Sequence, residues 1–221
     1  MKFRLFSNVH WSDKLVDVLV VVLGITIAFW LSNWQEERKN STSEQKYLAA
    51  LQTDLAKDTV QLLEIAEDMD TIFFGIERML RLADKPEKAD SVADYLSLIN
   101  DIFVFFPEDY TYKSLQQSGD IGLIQNDSLL LVLSYLYDYY DYINMMNELA
   151  YEYQHRNLLP YFDNYDLRRE KVFSWKAYNN HVFDAHLIRY RRNLRNRQKW
   201  INEALEKHRT LQRLIREELH N

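Results

Sequence analysis

Apolar residues follow two different patterns along this chain. No residue from Val18 to Gln35 is charged, and Val18 to Leu31 is almost entirely apolar. Farther along, apolar residues recur with heptad spacing, interrupted by Asp58: Leu48, Leu51, Leu55, Leu62, Ile65, Met69, Ile72, Ile76 and Met79. A repeat of about 3.5 residues, held over roughly five heptads, predicts a long helix packed along a neighbouring helix.

The later segments also have helical patterns. The first long helix is expected to stop near Ala83, a second closes at Pro107, a short one ends at Gly119, and a long one begins at an Asn126 or Asp127 N-cap. The last segment has heptad spacing again: Leu187, Leu194, Ile201, His208 and Ile215. The predicted fold class is therefore all-α, an N-terminal transmembrane helix that continues into a coiled-coil-like bundle of long helices.

The uncharged segment predicts a membrane anchor. Eighteen helical residues rise about 27 Å, close to the roughly 30 Å thickness of the hydrocarbon layer. Trp11 precedes the segment, and Trp30 and Trp34 lie at its far end, where aromatic rings meet lipid headgroups. No small-x-small cleavage site follows the segment, so we expect it to be retained. The alternative is a buried core helix.

Three segments follow from this reading: a short tail over 1–14, a transmembrane helix over 15–35 and an extramembrane helical bundle over 36–221. Lys and Arg are balanced on the two sides of the span, so they do not decide its orientation. Long domains translocate largely regardless of charge. We therefore expect a bacterial inner-membrane protein with a cytoplasmic N-terminus and a periplasmic bundle. The lack of Cys is compatible with an oxidising compartment.

Composition argues against most catalytic classes. With 4 Gly among 221 residues, the chain has no glycine-rich phosphate loop, zinc-protease motif or nucleophile elbow. His181, Asp184 and His186 form the densest group of ligand-type residues, but histidines five apart do not share a helix face well. We predict no enzyme activity, no metal and no cofactor.

Tyrosine is unusually frequent between Tyr135 and Tyr153, where seven of the chain's 15 tyrosines lie. Tyrosine provides a large rigid contact with a polar tip, which suits helix packing and interfaces. With Asp138 and Asp141 among these residues, a sugar, cation or peptide site is the alternative to core packing.

Charge is distributed unevenly. The formal net charge of -6 is the sum of +1 over 1–35, -14 over 36–165 and +7 over 166–221. If the first and last long helices are antiparallel, an acidic and a basic cluster lie at similar heights. We therefore hypothesise ion pairing, within or between subunits, of Glu64, Glu67, Asp68 and Asp70 with Arg189, Arg192, Arg195 and Lys199. Because the basic residues surround their helix, nucleic acid is not an expected partner.

Small residues follow one stripe of the predicted span. Gly24, Ala28 and Ser32 recur every four residues, which lets a second helix approach closely, so they are a candidate self-association face. The alternative is that the stripe has no partner. Asp17, at the start of the span, is expected among headgroups rather than in an ion path.

Two groups of motifs carry a family resemblance. They are Gly24-Ile25-Thr26-Ile27-Ala28 followed by Asn33-Trp34-Gln35-Glu36-Glu37-Arg38, and Leu115-Gln-Gln-Ser-Gly119 with Leu123-Ile124 and Asp127-x-Leu129. With them the chain resembles an uncharacterised family of single-span membrane proteins of the Bacteroidota. The resemblance implies an anchored helical domain and supplies neither an activity nor site residues.

These observations lead to a non-enzymatic, membrane-anchored scaffold or accessory subunit that self-associates or binds an envelope partner. Its expected partners are the lipid bilayer and further copies of the chain, with another membrane or envelope protein as a third candidate. The alternative is a periplasmic sensory or transport-accessory module that binds a ligand between bundle helices or forms an oligomeric pore. A sensor should continue into a cytoplasmic signalling domain, whereas only about a dozen residues precede the span, which favours the scaffold.

Overall fold

The computed structural model describes the backbone of residues 11–82, 85, 89–99, 103–166, 168–169 and 171–220, and the side chains of these residues except 11–15 and 89–93. The helices are α1 (Trp11–Leu82), α2 (Ala89–Leu98), α3 (Tyr110–Ser118), a 3₁₀ turn (Asp120–Leu123), α4 (Asp127–Asn157), α5 (Leu159–Phe162), α6 (Trp175–Tyr178) and α7 (His181–His220). Strands β1 (Tyr165–Asp166) and β2 (Lys171–Val172) form a short antiparallel hairpin. The predicted all-α fold class is confirmed, and the hairpin is its small exception.

Two compact units divide the chain between Tyr47 and Leu48. Helix α1 supplies the first unit and continues without a break into the second. Neither Gly nor Pro occurs between Gly24 and Gly75, so nothing in this stretch disfavours helix strongly. The predicted stop at Ala83 and Pro86, the tail before Trp11 and the Trp11 side chain lie outside the described residues.

The heptad positions form the core of the second unit. Every apolar heptad residue named above for α1 is buried, as are Leu187, Leu194, Ile201 and Ile215 of α7. Helix α4 adds a stripe of its own: Leu129, Leu133, Leu136, Tyr140, Ile143 and Ala150. The three stripes pack together because each helix buries one apolar face.

Helices α1 and α7 are antiparallel. Thr59 lies beside His208, Asp70 beside Gln198 and Glu77 near Arg191, so the number along one helix falls as the other rises. This arrangement places the two polar residues that interrupt the heptads at the same level of the bundle. They are Asp58 in α1 and His208 in α7.

The predicted N-cap of α4 is confirmed at Asn126. Its side-chain oxygen accepts from the Leu129 N–H at 3.0 Å, and its amide nitrogen donates to Glu218 of α7 at 2.6 Å. The side chain therefore caps one helix and ties it to the end of another.

Replacing Asn126 by Ala should destabilise the protein by about 1 kcal/mol, because both hydrogen bonds disappear. For a domain of this size that corresponds to a fall of about 2 to 4 °C in the melting temperature. Thermal unfolding followed by circular dichroism measures the change. The exposed Asn196, replaced in the same way, should leave the melting temperature within the error of the wild type.

Candidate functional site: an exposed apolar segment, an outer stripe and a buried polar network

The first functional feature is the exposed apolar part of α1. Every described side chain from Val16 to Lys39 is exposed, and Trp30 is 68% exposed. By length and composition this is the one described helix that is able to cross a membrane, and none of its apolar window is buried. A core helix would be covered by the rest of its chain, so the exposure argues against that alternative.

Polar groups of this segment are compatible with a lipid environment. The Thr26 hydroxyl donates to the Val22 carbonyl at 2.8 Å, so it is satisfied within the helix. Near the far end, the Arg38 guanidinium lies 5.2 Å from the centre of the Trp34 ring. An arginine over an aromatic ring suits the headgroup region, where both side chains are favoured.

The second feature is a buried polar network that joins three helices. Asp58, Tyr140 and His208 are at most 1% exposed. The Tyr140 hydroxyl lies 2.8 Å from Asp58 Oδ2 and 2.5 Å from His208 Nε2. On the other side of the imidazole, Nδ1 lies 3.1 Å from the Leu55 carbonyl and 2.9 Å from the Thr59 hydroxyl.

Two proton arrangements satisfy this network. In the first, Asp58 is protonated and donates to Tyr140, Tyr140 donates to Nε2, and Nδ1–H donates to the Leu55 carbonyl, which only accepts. In the second, Asp58 is ionised, Tyr140 donates to it, Nε2–H donates to Tyr140, and the Thr59 hydroxyl turns from the Leu55 carbonyl, 2.7 Å away, to donate to Nδ1. Loss of one proton thus reverses both hydrogen bonds of Tyr140 and replaces the bond from Nδ1–H to the Leu55 carbonyl by one from Thr59 to Nδ1.

Burial dominates the titration of these groups. It raises the pKa of Asp58 from 3.8 to about 6, against the opposing hydrogen bonds from the Glu108 N–H and Tyr140. It lowers the pKa of His208 from 6.5 to about 4, against the opposing bond to the Leu55 carbonyl. Burial also raises the pKa of Tyr140, with the charge of Asp58 adding to it, so Tyr140 stays neutral.

The segment that follows α2 is fixed to α1 beside this network. The Glu108 N–H donates to Asp58 Oδ1 at 2.8 Å, and the Glu108 carboxylate pairs with Lys57 at 3.1 Å. Gln61 accepts from the Phe106 N–H and donates to its carbonyl. The backbone groups of this irregular segment therefore find partners on one face of α1.

A groove lies next to Tyr140, between α3 and α4. The groove has a volume of about 270 Å³. Tyr112 and Tyr137 stack on its wall with ring centres 3.9 Å apart, and Asp138 and Asp141 line it as well. The groove has the polarity of a site for a small cation or a hydroxyl-rich molecule.

The third feature is an exposed heptad stripe on α4, called here the outer stripe. Its members are Leu131, Tyr135, Asp138, Tyr142, Met145 and Leu149. Leu131 is 56% exposed and Leu149 is 49% exposed, and only Asp138 is charged. Tyr142 stacks on Trp200 of α7 at 4.7 Å. Helix α4 is thus apolar on two opposite faces, one of which packs inside the bundle.

The predicted acidic and basic residues are not joined within the chain. In the part of the chain that the structure describes, no ion pair within 4.0 Å links Glu64, Glu67, Asp68 or Asp70 to Arg189, Arg192, Arg195 or Lys199. Asp70 accepts from Gln198 at 3.0 Å instead, and Glu77 lies 3.9 Å from Arg191. All four predicted basic residues are exposed. Pairing between subunits stays a prediction.

Two further sets of predicted residues are the small-residue stripe of α1 and the group of His181, Asp184 and His186. Gly24, Ala28 and Ser32 are exposed on α1, and a Cβ added at Gly24 meets nothing within 4 Å. The Tyr153 hydroxyl and His186 Nδ1 are hydrogen-bonded at 2.8 Å, whereas His181 is exposed. Among the described residues no three His, Cys, Asp or Glu side chains gather as metal ligands.

The network of Asp58, Tyr140 and His208 is the feature that the sequence reading missed. Its signal was present, because Asp58 interrupts one heptad stripe and His208 occupies a core position of another. Two polar residues at core positions of antiparallel helices at the same level should pair, since neither can be buried alone.

Together, the fold and these features define a long-helix bundle preceded by an apolar helix able to span a membrane. Residues 17–159 match the DUF6090 family, described as a family of unknown function, and the chain belongs to that family. The match runs from within α1 to the first residue of α5 and includes Asp58 and Tyr140, whereas His208 lies beyond it. No curated protein and no solved structure matches the chain.

Proposed function

We propose that this protein is a non-enzymatic, membrane-anchored scaffold whose bundle self-associates through the outer stripe of α4. One observation carries the proposal: the chain exposes two elongated apolar surfaces, the N-terminal part of α1 and the outer stripe. Apolar surfaces of this extent are normally covered in the working state of a protein. Lipid covers the first, and a helix of a second copy covers the second.

Charge complementarity favours a second copy as the occupant. Helix α4 has five Asp and Glu residues against one Arg, whereas α7 has ten Lys and Arg residues against five acidic ones. Among the described residues, no carboxylate lies within 4.0 Å of the four exposed α7 bases Arg189, Arg192, Arg195 and Lys199. A second copy offers such a basic face to an acidic helix, and it also offers partners for Glu64, Glu67, Asp68 and Asp70.

The proposed location is a bacterial inner membrane, with the N-terminus in the cytoplasm and the bundle in the periplasm. The exposed apolar segment of α1 supports the anchoring, and the ability of long domains to translocate regardless of charge supports the orientation. In this arrangement Asp17 lies among the headgroups at the start of the span. Anchoring would concentrate the bundles in a plane, which raises the effective concentration for weak contacts between them.

Replacing Leu131 and Leu149 together by Asp should convert the assembled full-length protein into monomers. Both side chains are exposed on the outer stripe, so the change removes intersubunit apolar contacts and adds charge to an acidic helix. The stability of the bundle should change by less than about 0.5 kcal/mol per site. The measurement is molar mass in mild detergent by light scattering, with thermal unfolding alongside.

The matched control places the same two negative charges on α1 by replacing the exposed Gln45 and Ala49 together with Asp, away from the outer stripe and from the basic face of α7. This control should keep the assembled mass. A wild type that is monomeric at all accessible concentrations contradicts the proposal, and so does a double variant with the wild-type mass. A monomer that co-purifies with a different membrane protein through the outer stripe favours the envelope-partner version of the scaffold instead.

A further inference from the structure

Arg197 is a buried cation in the second unit. It is 2% exposed, although its neighbours Arg195 and Lys199 on α7 are exposed. Its Nη2 donates to the Phe103 carbonyl at 2.5 Å, and its buried Nε–H has no acceptor among the residues that the structure describes. Burial lowers the pKa of Arg197 to about 10, so the guanidinium still carries its charge at neutral pH.

No carboxylate within the described ranges forms an ion pair with Arg197. A carbonyl oxygen satisfies one hydrogen but leaves the full positive charge uncompensated. A buried guanidinium that lacks a counter-charge strongly disfavours the folded state, and an unsatisfied buried N–H adds to this. The described residues therefore supply no negative group for this charge.

A small cavity adjoins the guanidinium. The cavity has a volume of about 10 Å³, which is room for one small occupant such as a water molecule or a monatomic ion. Met69 and Ile72 of α1 and Leu194 of α7 make part of its wall apolar, while Asn147 and Gln154 of α4 make another part polar. Asn147 is partly exposed, so the cavity is reachable from solvent.

We propose that this cavity binds one small monatomic anion, with chloride as the physiological candidate. The anion accepts the Nε–H of Arg197 and neutralises its charge. A water molecule fits the same space but supplies no charge, and the small volume favours a monatomic anion over a tetrahedral oxyanion such as sulfate. The bound ion would stabilise the packing of α1, α4 and α7 around the cavity, because it binds only the folded state.

The test uses the full-length protein in mild detergent at constant ionic strength, with chloride exchanged stepwise for gluconate. Chloride should raise the melting temperature along a saturating curve, by about 3 °C once the site is mostly filled. Bromide should replace chloride, and bromide-soaked crystals should show anomalous density beside Arg197. Sulfate should give no saturating rise, only the gradual increase that an excluded salt produces in any protein.

Two variants and one control make the result specific. Arg197→Gln removes the charge, and Asn147→Leu fills the mouth of the cavity while leaving Arg197 in place. Either variant should lose the chloride dependence. Arg192→Gln, an exposed position on the same helix, should retain it. Because Asn147 is partly exposed, that variant keeps the proposal testable if Arg197→Gln does not fold.

A melting temperature that is independent of chloride overturns the proposal and leaves water as the occupant. A second outcome against the proposal concerns Asp101. This acidic residue precedes Phe103 by two positions and lies outside the described residues. If Asp101→Asn lowers the melting temperature strongly and the wild type shows no chloride dependence, the counter-charge comes from the chain itself. Persistence of the full chloride effect in both Arg197→Gln and Asn147→Leu also contradicts the proposed site.

Discussion

In a variant with Asp58 replaced by Asn, the remaining network should make the stability of the protein rise by about 3 kcal/mol between pH 4 and pH 6.5. The variant keeps His208, whose pKa is about 4 when folded and 6.5 when unfolded. Between these values the unfolded chain holds a proton that the folded chain lacks. Acid therefore favours unfolding, and stability increases with pH across this window.

Replacing His208 by Gln should have the opposite effect. This variant keeps Asp58, whose pKa is about 6 when folded and 3.8 when unfolded. Between these values the folded chain holds the extra proton, so stability should fall by about 3 kcal/mol from pH 4 to pH 6. In the wild type the two trends largely cancel, because one group offsets the other.

Urea unfolding of both variants and the wild type, followed by circular dichroism at pH 4, 5, 6 and 7, measures these slopes. The slope of each variant reports the group it keeps, and its difference from the wild type cancels every shared group and reports the group that was replaced. His155 is exposed, so the stability of a His155→Gln variant should change with pH in the same way as that of the wild type. Two network variants whose differences from the wild type have the same sign of slope would contradict the assignment.

Placing two lysines in the apolar part of α1, at Val21 and Ile25, should release the protein from membranes. Each charge at the centre of a span costs about 2.5 to 3.5 kcal/mol for insertion, so the pair removes most of the driving force. The second unit has its own core, so the released protein should keep a cooperative thermal transition. Carbonate extraction followed by immunoblotting of the pellet and supernatant measures the distribution.

The control adds the same two lysines at Gln35 and Asn40, beyond the apolar stretch. Both positions belong to α1, so charge and helix are matched. This control should stay in the carbonate-resistant pellet. If the Val21 and Ile25 variant also remains there, the apolar segment is not the anchor.

Heptad spacing was sufficient to predict the long helices and their buried faces. It works because burial of one stripe per helix is a property of local sequence period, which needs no knowledge of the partner. The N-cap at Asn126 was predictable for the same reason, since capping depends on a side chain and the next three residues. The hairpin of β1 and β2 has two residues per strand, too few to display an alternation.

The acidic and basic clusters show where sequence reasoning stops. Antiparallel counting placed them at similar heights, and the contacts of Asp70 with Gln198 and of Glu77 with Arg191 lie at those heights. Height does not fix the direction in which a side chain leaves the helix. Leu194 and Ile201 occupy the core stripe of α7, which turns Arg192 and Lys199 to solvent and brings Arg197 inside.

The antiparallel contact of α1 with α7 also sets the order of events during synthesis. Thr59 and His208 are 149 positions apart, and the buried network closes only when both are present. At about 5 to 20 residues per second, the ribosome needs roughly 2 to 8 s to make the 40 residues of α7. During that time the apolar stripes of α1 and α4 have no α7 to cover them. The contacts of α7 with α1 and α4 can therefore form only after α7 has been synthesised, whereas α1 and α4 can meet earlier.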